Sequence, residues 1–241
     1  MPQSYFSWNG VDCRSMGIIM RSAAPIIRAE ERVSHIQIPG RSGDLTQTEG
    51  ENIYNSYIQT ITMSVRGGYR VRDIFKWLRG EGYVTFSGEP DRKQRARIIG
   101  AITLDRVSRN LDHWAGEVQF YCQPLKEKLV ENTVTLTSNN KVVRNEGDVI
   151  ARPLYRCTAS GSSITLTVTG SGTPENNSIT VTGLTSGRTY RIDSDIMEIL
   201  YSSSRYTKNS TGNFPVMSPG DNTISFSGIS SVEITKRERF L

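Results

Sequence analysis

The sequence predicts a mostly β protein with one short helix, arranged as two β-rich halves. Three observations carry that expectation. Apolar and polar residues alternate with period two through many short segments, the pattern of half-buried strands. One segment alone has helical period. Turn residues such as Asn9-Gly10, Gly170-Ser171-Gly172 and Pro219-Gly220-Asp221-Asn222 punctuate the alternating runs along the 241 residues.

The elements follow in order. Tyr5 to Trp8, Asn9-Gly10 and Val11 to Cys13 read as a hairpin, since Asn-Gly accepts the positive φ of a type I′ turn. Gly17 to Arg21 and Arg32 to Ile38 continue as strands. In Tyr57 to Arg66, Ile61, Met63 and Val65 share one face, while Thr60, Thr62, Ser64 and Arg66 share the other. Val71, Ile74, Phe75 and Leu78 then fall at i, i+3, i+4 and i+7, with Gly80 and Gly82 as stop signals, which predicts a short amphipathic helix. Burial of each of those four side chains contributes about 1.5–3 kcal/mol. Trp77 lies off that stripe, and either widens it or waits for a neighbour. Strands resume at Tyr83 to Ser87, Arg95 to Leu104 and His113 to Cys122.

Gln123 to Asn132, with Pro124 and Lys126-Glu127-Lys128, interrupts the rhythm and reads as the connection between a domain of residues 1–125 and one of residues 133–241. The second half is rich in Ser, Thr, Gly and Asn. Its short strands, among them Leu154 to Thr158, Ser163 to Val168, Ser178 to Leu184 and Ser231 to Thr235, recur without a helix. That texture predicts a β-sandwich.

The formal net charge is +5 and the isoelectric point near 9.2. Residues 1–125 carry 16 basic and 13 acidic side chains, and residues 126–241 carry 13 and 11, so the excess is spread as +3 and +2. A duplex reader concentrates its charge on one face. The densest group, Arg92, Lys93, Arg95 and Arg97, reads first as a charged turn; a partner-facing or channel-facing patch and a nucleic-acid contact are the competing readings. No apolar stretch approaches the ~18 residues that cross a bilayer as a helix. The start, Met1-Pro2-Gln3-Ser4, shows no export signal. Cys13, Cys122 and Cys157 are odd in number and far apart, which suits free thiols in a reducing cytoplasm and fits neither a disulfide framework nor a zinc spacing.

Catalytic chemistry is not evident. His35 and His113 are the two histidines, each read as a surface or packing residue. There is no Gly-x-Ser-x-Gly elbow, phosphate-binding loop, His-Glu-x-x-His helix or dinucleotide fingerprint. The expectation is therefore a protein without catalytic residues, metal or cofactor. Asp193 and Asp195, two residues apart on a strand, stand as a polar strand end, a calcium pair or an acid–base pair. Tyr201 and Tyr206, near Tyr190 and Phe214, stand either as core or as a sugar-stacking face.

The most informative segment is Ile38-Pro39-Gly40-Arg41-Ser42-Gly43-Asp44, followed by Leu45. Pro39 disfavours helix at Ile38, and two glycines permit left-handed backbone around one arginine. Such a shaped loop is where partner contacts concentrate. Pro39, Gly40, Arg41, Gly43, Asp44 and Leu45, with the extended run to Asn55, are the candidates for a contact between copies of the chain. The competing reading is an intramolecular turn braced by Arg41.

These residues, with Phe6-x-Trp8-x-Gly10-Val11-Asp12, Gly17-Ile18, Asn145-Glu146-Gly147, Ala151-Arg152-Pro153-Leu154, Tyr190-Arg191-Ile192-Asp193 and Ser218 to Ile224, are together similar to the distal tail proteins (Dit) of siphophages, over essentially the whole chain. The resemblance implies a β-rich N-terminal domain and a galectin-like C-terminal β-sandwich. It implies a homo-hexameric ring at the distal end of the virion tail, assembled in the host cytoplasm. The ring's partners would be the tail-tube protein, the tail-tip hub protein and peripheral receptor-binding components, with DNA passing unread through the lumen and no membrane contact. A lectin-like sugar-binding module is the alternative function.

Overall fold

The structure, a computed structural model, describes residues 4–48, 50, 52–67, 70–108 and 112–241. Met1, Pro2 and Gln3 of the start, and Glu49 and Glu51 of the run after Leu45, lie outside the described residues. The chain forms two compact units, Met1–Leu129 together with Leu241, and Val130–Phe240.

The first unit contains β1 (Phe6–Trp8), β2 (Val11–Asp12), β3 (Ile18–Met20), β4 (Val33–Ile36), β5 (Leu45–Thr48), β6 (Tyr57–Arg66), α1 (Val71–Trp77), β7 (Glu81–Phe86), β8 (Arg92–Ser108) and β9 (His113–Lys128). Its main sheet runs β2-β1-β7-β8-β9-β6-β3, antiparallel at each of these pairings. Asn9 and Gly10 take φ of 52° and 79°, the left-handed pair that the β1–β2 turn requires. On β6, Ile61, Met63 and Val65 are buried as the alternation predicts.

The helix is present but turned. Ile74 and Leu78 are buried, whereas Phe75 is 40% exposed. Trp77 takes its place: its ring stacks on Phe6 at 5.8 Å, and its indole N–H donates to the Trp8 carbonyl at 3.3 Å. Phe120 meets Phe6 and Trp8, each at 5.5 Å. An aromatic floor on the sheet thus selects which side of the helix faces in, because stacked rings gain more than a lone phenyl against aliphatics.

Two sequence expectations are corrected here. Residues 123–128 are strand, not connection: Lys126, Glu127 and Lys128 pair with Gln94, Lys93 and Arg92. Pro124 fits because the register shifts between Gln94 and Ala96, leaving a bulge where no ladder N–H is needed. The basic group at 92–97 is likewise strand, not turn, and each member has an acidic neighbour. Arg92 lies 2.9 Å from Glu89, Lys93 3.8 Å from Glu127, and Arg95 and Arg97 each 3.5 Å from Glu81.

The second unit contains β10 (Thr133–Leu136), β11 (Lys141–Asn145), β12 (Leu154–Ala159), β13 (Ser163–Gly170), β14 (Ser178–Thr182), β15 (Thr189–Asp193), β16 (Glu198–Tyr201), β17 (Ser204–Arg205), β18 (Ser210–Gly212), β19 (Gly220–Ser227) and β20 (Ile229–Thr235). They form two sheets, β10-β20-β12-β15-β16-β17 and β11-β19-β13-β14-β18. Tyr155, Tyr190, Ile192 and Val232 of one sheet share a core with Leu166, Val181 and Ile224 of the other, which makes the predicted β-sandwich. Buried asparagines brace its loops. Asn145 donates to the Val149 and Met217 carbonyls at 3.2 Å each, and Asn222 donates to the Ser218 carbonyl at 2.8 Å. The motifs around Asn145 and Asn222 are therefore scaffold.

Candidate assembly interface

The Pro39–Asp44 loop caps a two-stranded arm that stands apart from the main sheet. Its base is closed by Arg32 N–H donating to the Ile53 carbonyl at 2.9 Å and Asn55 N–H to the Glu30 carbonyl at 2.7 Å. Above that, β4 and β5 pair from Val33↔Thr48 to Ile36↔Leu45. Each described residue from Ser34 to Thr48 is exposed. A two-stranded hairpin without a packed face is marginal by itself in water. This one keeps its shape through its turn chemistry.

Ile38-Pro39-Gly40-Arg41 is a type II turn: Pro39 presets the first central residue, Gly40 supplies φ of 80°, and Arg41 N–H donates to the Ile38 carbonyl at 3.1 Å. Gly43, at φ of 81°, turns the chain again into Leu45. The backbone closes the turn, and the Arg41 guanidinium makes no hydrogen bond or ion pair among the described residues. The bracing role for that side chain is thereby corrected. Asp44 is also without an ion partner among them.

The arm has an apolar side. Ile36 and Leu45 are direct cross-strand partners, hence on one face, and Ile38 lies two residues beyond Ile36 where the turn begins. They are 43%, 42% and 39% exposed. The sequence marks Leu45 as a contact candidate and Ile38 as the start of the shaped loop, while Ile36 falls within the strand-like run Arg32 to Ile38. Their exposure in the folded chain is what reveals an apolar side.

The remaining candidates are used inside the fold. Arg237 grips both carboxylate oxygens of Asp193 at 2.6 and 3.0 Å, and Arg239 reaches Asp195 at 3.3 Å. Both acids are ion-paired to arginines, the arrangement of a polar strand end. Tyr201 and Tyr206 pack against buried Tyr190, with centroids 5.1 and 5.3 Å away, and lie at 90° to each other. Two perpendicular, half-buried rings complete the edge of a core; they do not form a flat stacking surface. Cys13, Cys122 and Cys157 are free and buried, and burial pushes the Cys122 and Cys157 thiols up to about 12. His35 lies exposed on β4, with Nδ1 3.3 Å from the Thr46 hydroxyl.

No family model matches the chain, and no curated protein matches it. Solved structures match its fold. The Dit protein of phage SPP1, described as a paradigm of the hub adsorption apparatus in phages infecting Gram-positive bacteria, matches with a TM-score of 0.79 at 17% identity, over 99% of this chain and 99% of that one. Chains of the phage P2 baseplate in its activated conformation, with Ca and with Sr, each match with a TM-score of 0.52. Their identities are 8% and 9%, and coverage is 99% and 98% of both chains. The chain therefore has a Dit-like fold, mostly β with a single α-helix among its described residues.

Proposed function

We propose that this chain is a structural subunit of a phage tail tip. Six copies close a ring that joins the tail tube to the tail-tip hub and leaves a lumen for DNA. Adsorption components attach at its periphery, and the ring resides at the distal end of the virion tail after assembly in the host cytoplasm. The observation that carries the reading is the likeness to the SPP1 Dit protein along the whole of both chains. The second unit takes the role of a galectin-like sandwich, and the first unit forms the ring.

The mechanism is geometric. A closed ring needs two different complementary patches on each subunit. The exposed arm of β4 and β5 supplies one, with Arg41 reaching a carboxylate or backbone carbonyls of the neighbour. Each contact must bury at least ~1,000 Å² to hold, and an arm with exposed aliphatics and an unpaired guanidinium is suited to that.

Light scattering of the purified full chain tests the reading. The expected result is a species of about six copies, with annular particles in negative stain. Replacing Arg41 with alanine weakens the ring without unfolding the subunit, since the side chain makes no hydrogen bond or ion pair among the described residues. A protein that stays monomeric at high concentration, alone and with its flanking tail components, would overturn it.

A further inference from the structure

We infer that the receptor for the arm is a depression between the end of α1 and the bulge of β8 on a second copy of this chain. The inference rests on the arm being the ring contact, and it names the surface that the arm meets. The depression is shallow, about 350 Å³, and is lined by Phe75, Leu78, Ile98 and Ile102 with Arg79 and Gly80 at its rim. It exists because β8 bulges: Ile99 pairs with Gln119 and Thr103 with Glu117, so three intervening residues of β8 face one of β9. Gly100, at φ of +70°, makes that bend and leaves open space, where an added Cβ meets only the Gln119 side chain at 3.6 Å.

Charge complementarity selects the occupant. Arg79 follows Leu78 at the depression, and Asp44 precedes Leu45 on the arm; neither has an ion partner among the described residues. An aliphatic face flanked by an unpaired carboxylate thus matches an aliphatic hollow flanked by an unpaired guanidinium. Phe75, unused by its own core, supplies an aromatic anchor of the kind that dominates interfaces. Arm and hollow are different patches of one unit, so their pairing is heterologous and propagates from copy to copy until it closes.

The test is a charge swap in the full chain, read by sedimentation as the association constant. Asp44→Arg and Arg79→Asp each weaken association by about 30-fold or more, and the double variant recovers most of the loss. Phe75→Asp weakens it by a similar factor while circular dichroism and the monomer's melting temperature stay unchanged. If Asp44→Arg dissociates the ring but Arg79→Asp and Phe75→Asp do not, the arm is the contact and this receptor is wrong. If the wild-type chain never associates, both readings fall. A Leu45→Cys/Phe75→Cys chain gives an independent readout, because the three native thiols are buried. Mild oxidation is expected to yield a disulfide-linked ladder, and a ladder absent from an assembled ring counts against the pairing.

Discussion

Arg237 shows how a single residue is held where its chemistry resists. Its φ of 50° lies in the left-handed region, which costs a side-chain-bearing residue about 1–3 kcal/mol. That backbone carries the guanidinium to Asp193, whose side chain is 5% exposed. Burial pushes the Asp193 carboxyl up, but the Arg237 hydrogen bonds and charge, with the amides of Asp195 and Ile196, outweigh it and hold the carboxyl below its ordinary value. A lowered carboxyl contributes stability that is complete above the ordinary carboxylate range and is lost as pH falls through the lowered value. Asp193→Ala is therefore expected to destabilise the second unit by about 3–5 kcal/mol at neutral pH. Urea titrations should find that gap closing in acid; a gap constant from neutrality to below the carboxylate range would show that the ion pair is not its source.

At the scale of elements, the helix gives the sharpest contrast between two neighbouring aromatics. Trp77→Ala removes a stacked ring and a hydrogen bond, and is expected to cost about 3–5 kcal/mol. Phe75→Ala is expected to stay within about 0.5 kcal/mol in the isolated subunit. Denaturation that ranks them the other way would refute the orientation of α1. Helical spacing alone admits either side, since Ile74 and Leu78 anchor both stripes. The β8–β9 pair makes a second case. A Cβ on Gly116 would collide with the Thr103 carbonyl oxygen, so Gly116→Ala is expected to lose about 1–3 kcal/mol or more. Proteolysis opening first between residues 99 and 119 would locate the damage. Period-two alternation showed where these strands lie but ended them early at Leu104 and Cys122, because bulges and charged cross-strand partners carry them on to Ser108 and Lys128.

For the whole molecule, each unit has its own core, one gathered on Phe6, Trp8 and Phe120, the other on Tyr155, Tyr190 and Leu166. Association stabilises only what takes part in it. If copies meet through the first unit, its thermal transition rises with protein concentration, and Asp44→Arg abolishes that dependence. Calorimetry over a hundredfold range of concentration checks this, and a transition insensitive to dilution speaks against assembly through that unit.

By itself the sequence determined the strand-rich character, the single helix, the Asn9–Gly10 turn and the Pro39–Gly40 turn, because each is written in local spacing and backbone preference. It also pointed to the Pro39–Leu45 loop as a shaped surface. Only the tertiary structure decided which face of the helix is buried, that Asp193 belongs to an arginine 44 residues away, and that Ile36 and Ile38 stand in solvent. Those outcomes depend on which distant segments arrive beside a residue, and one-dimensional periodicity carries no information about which partner that is.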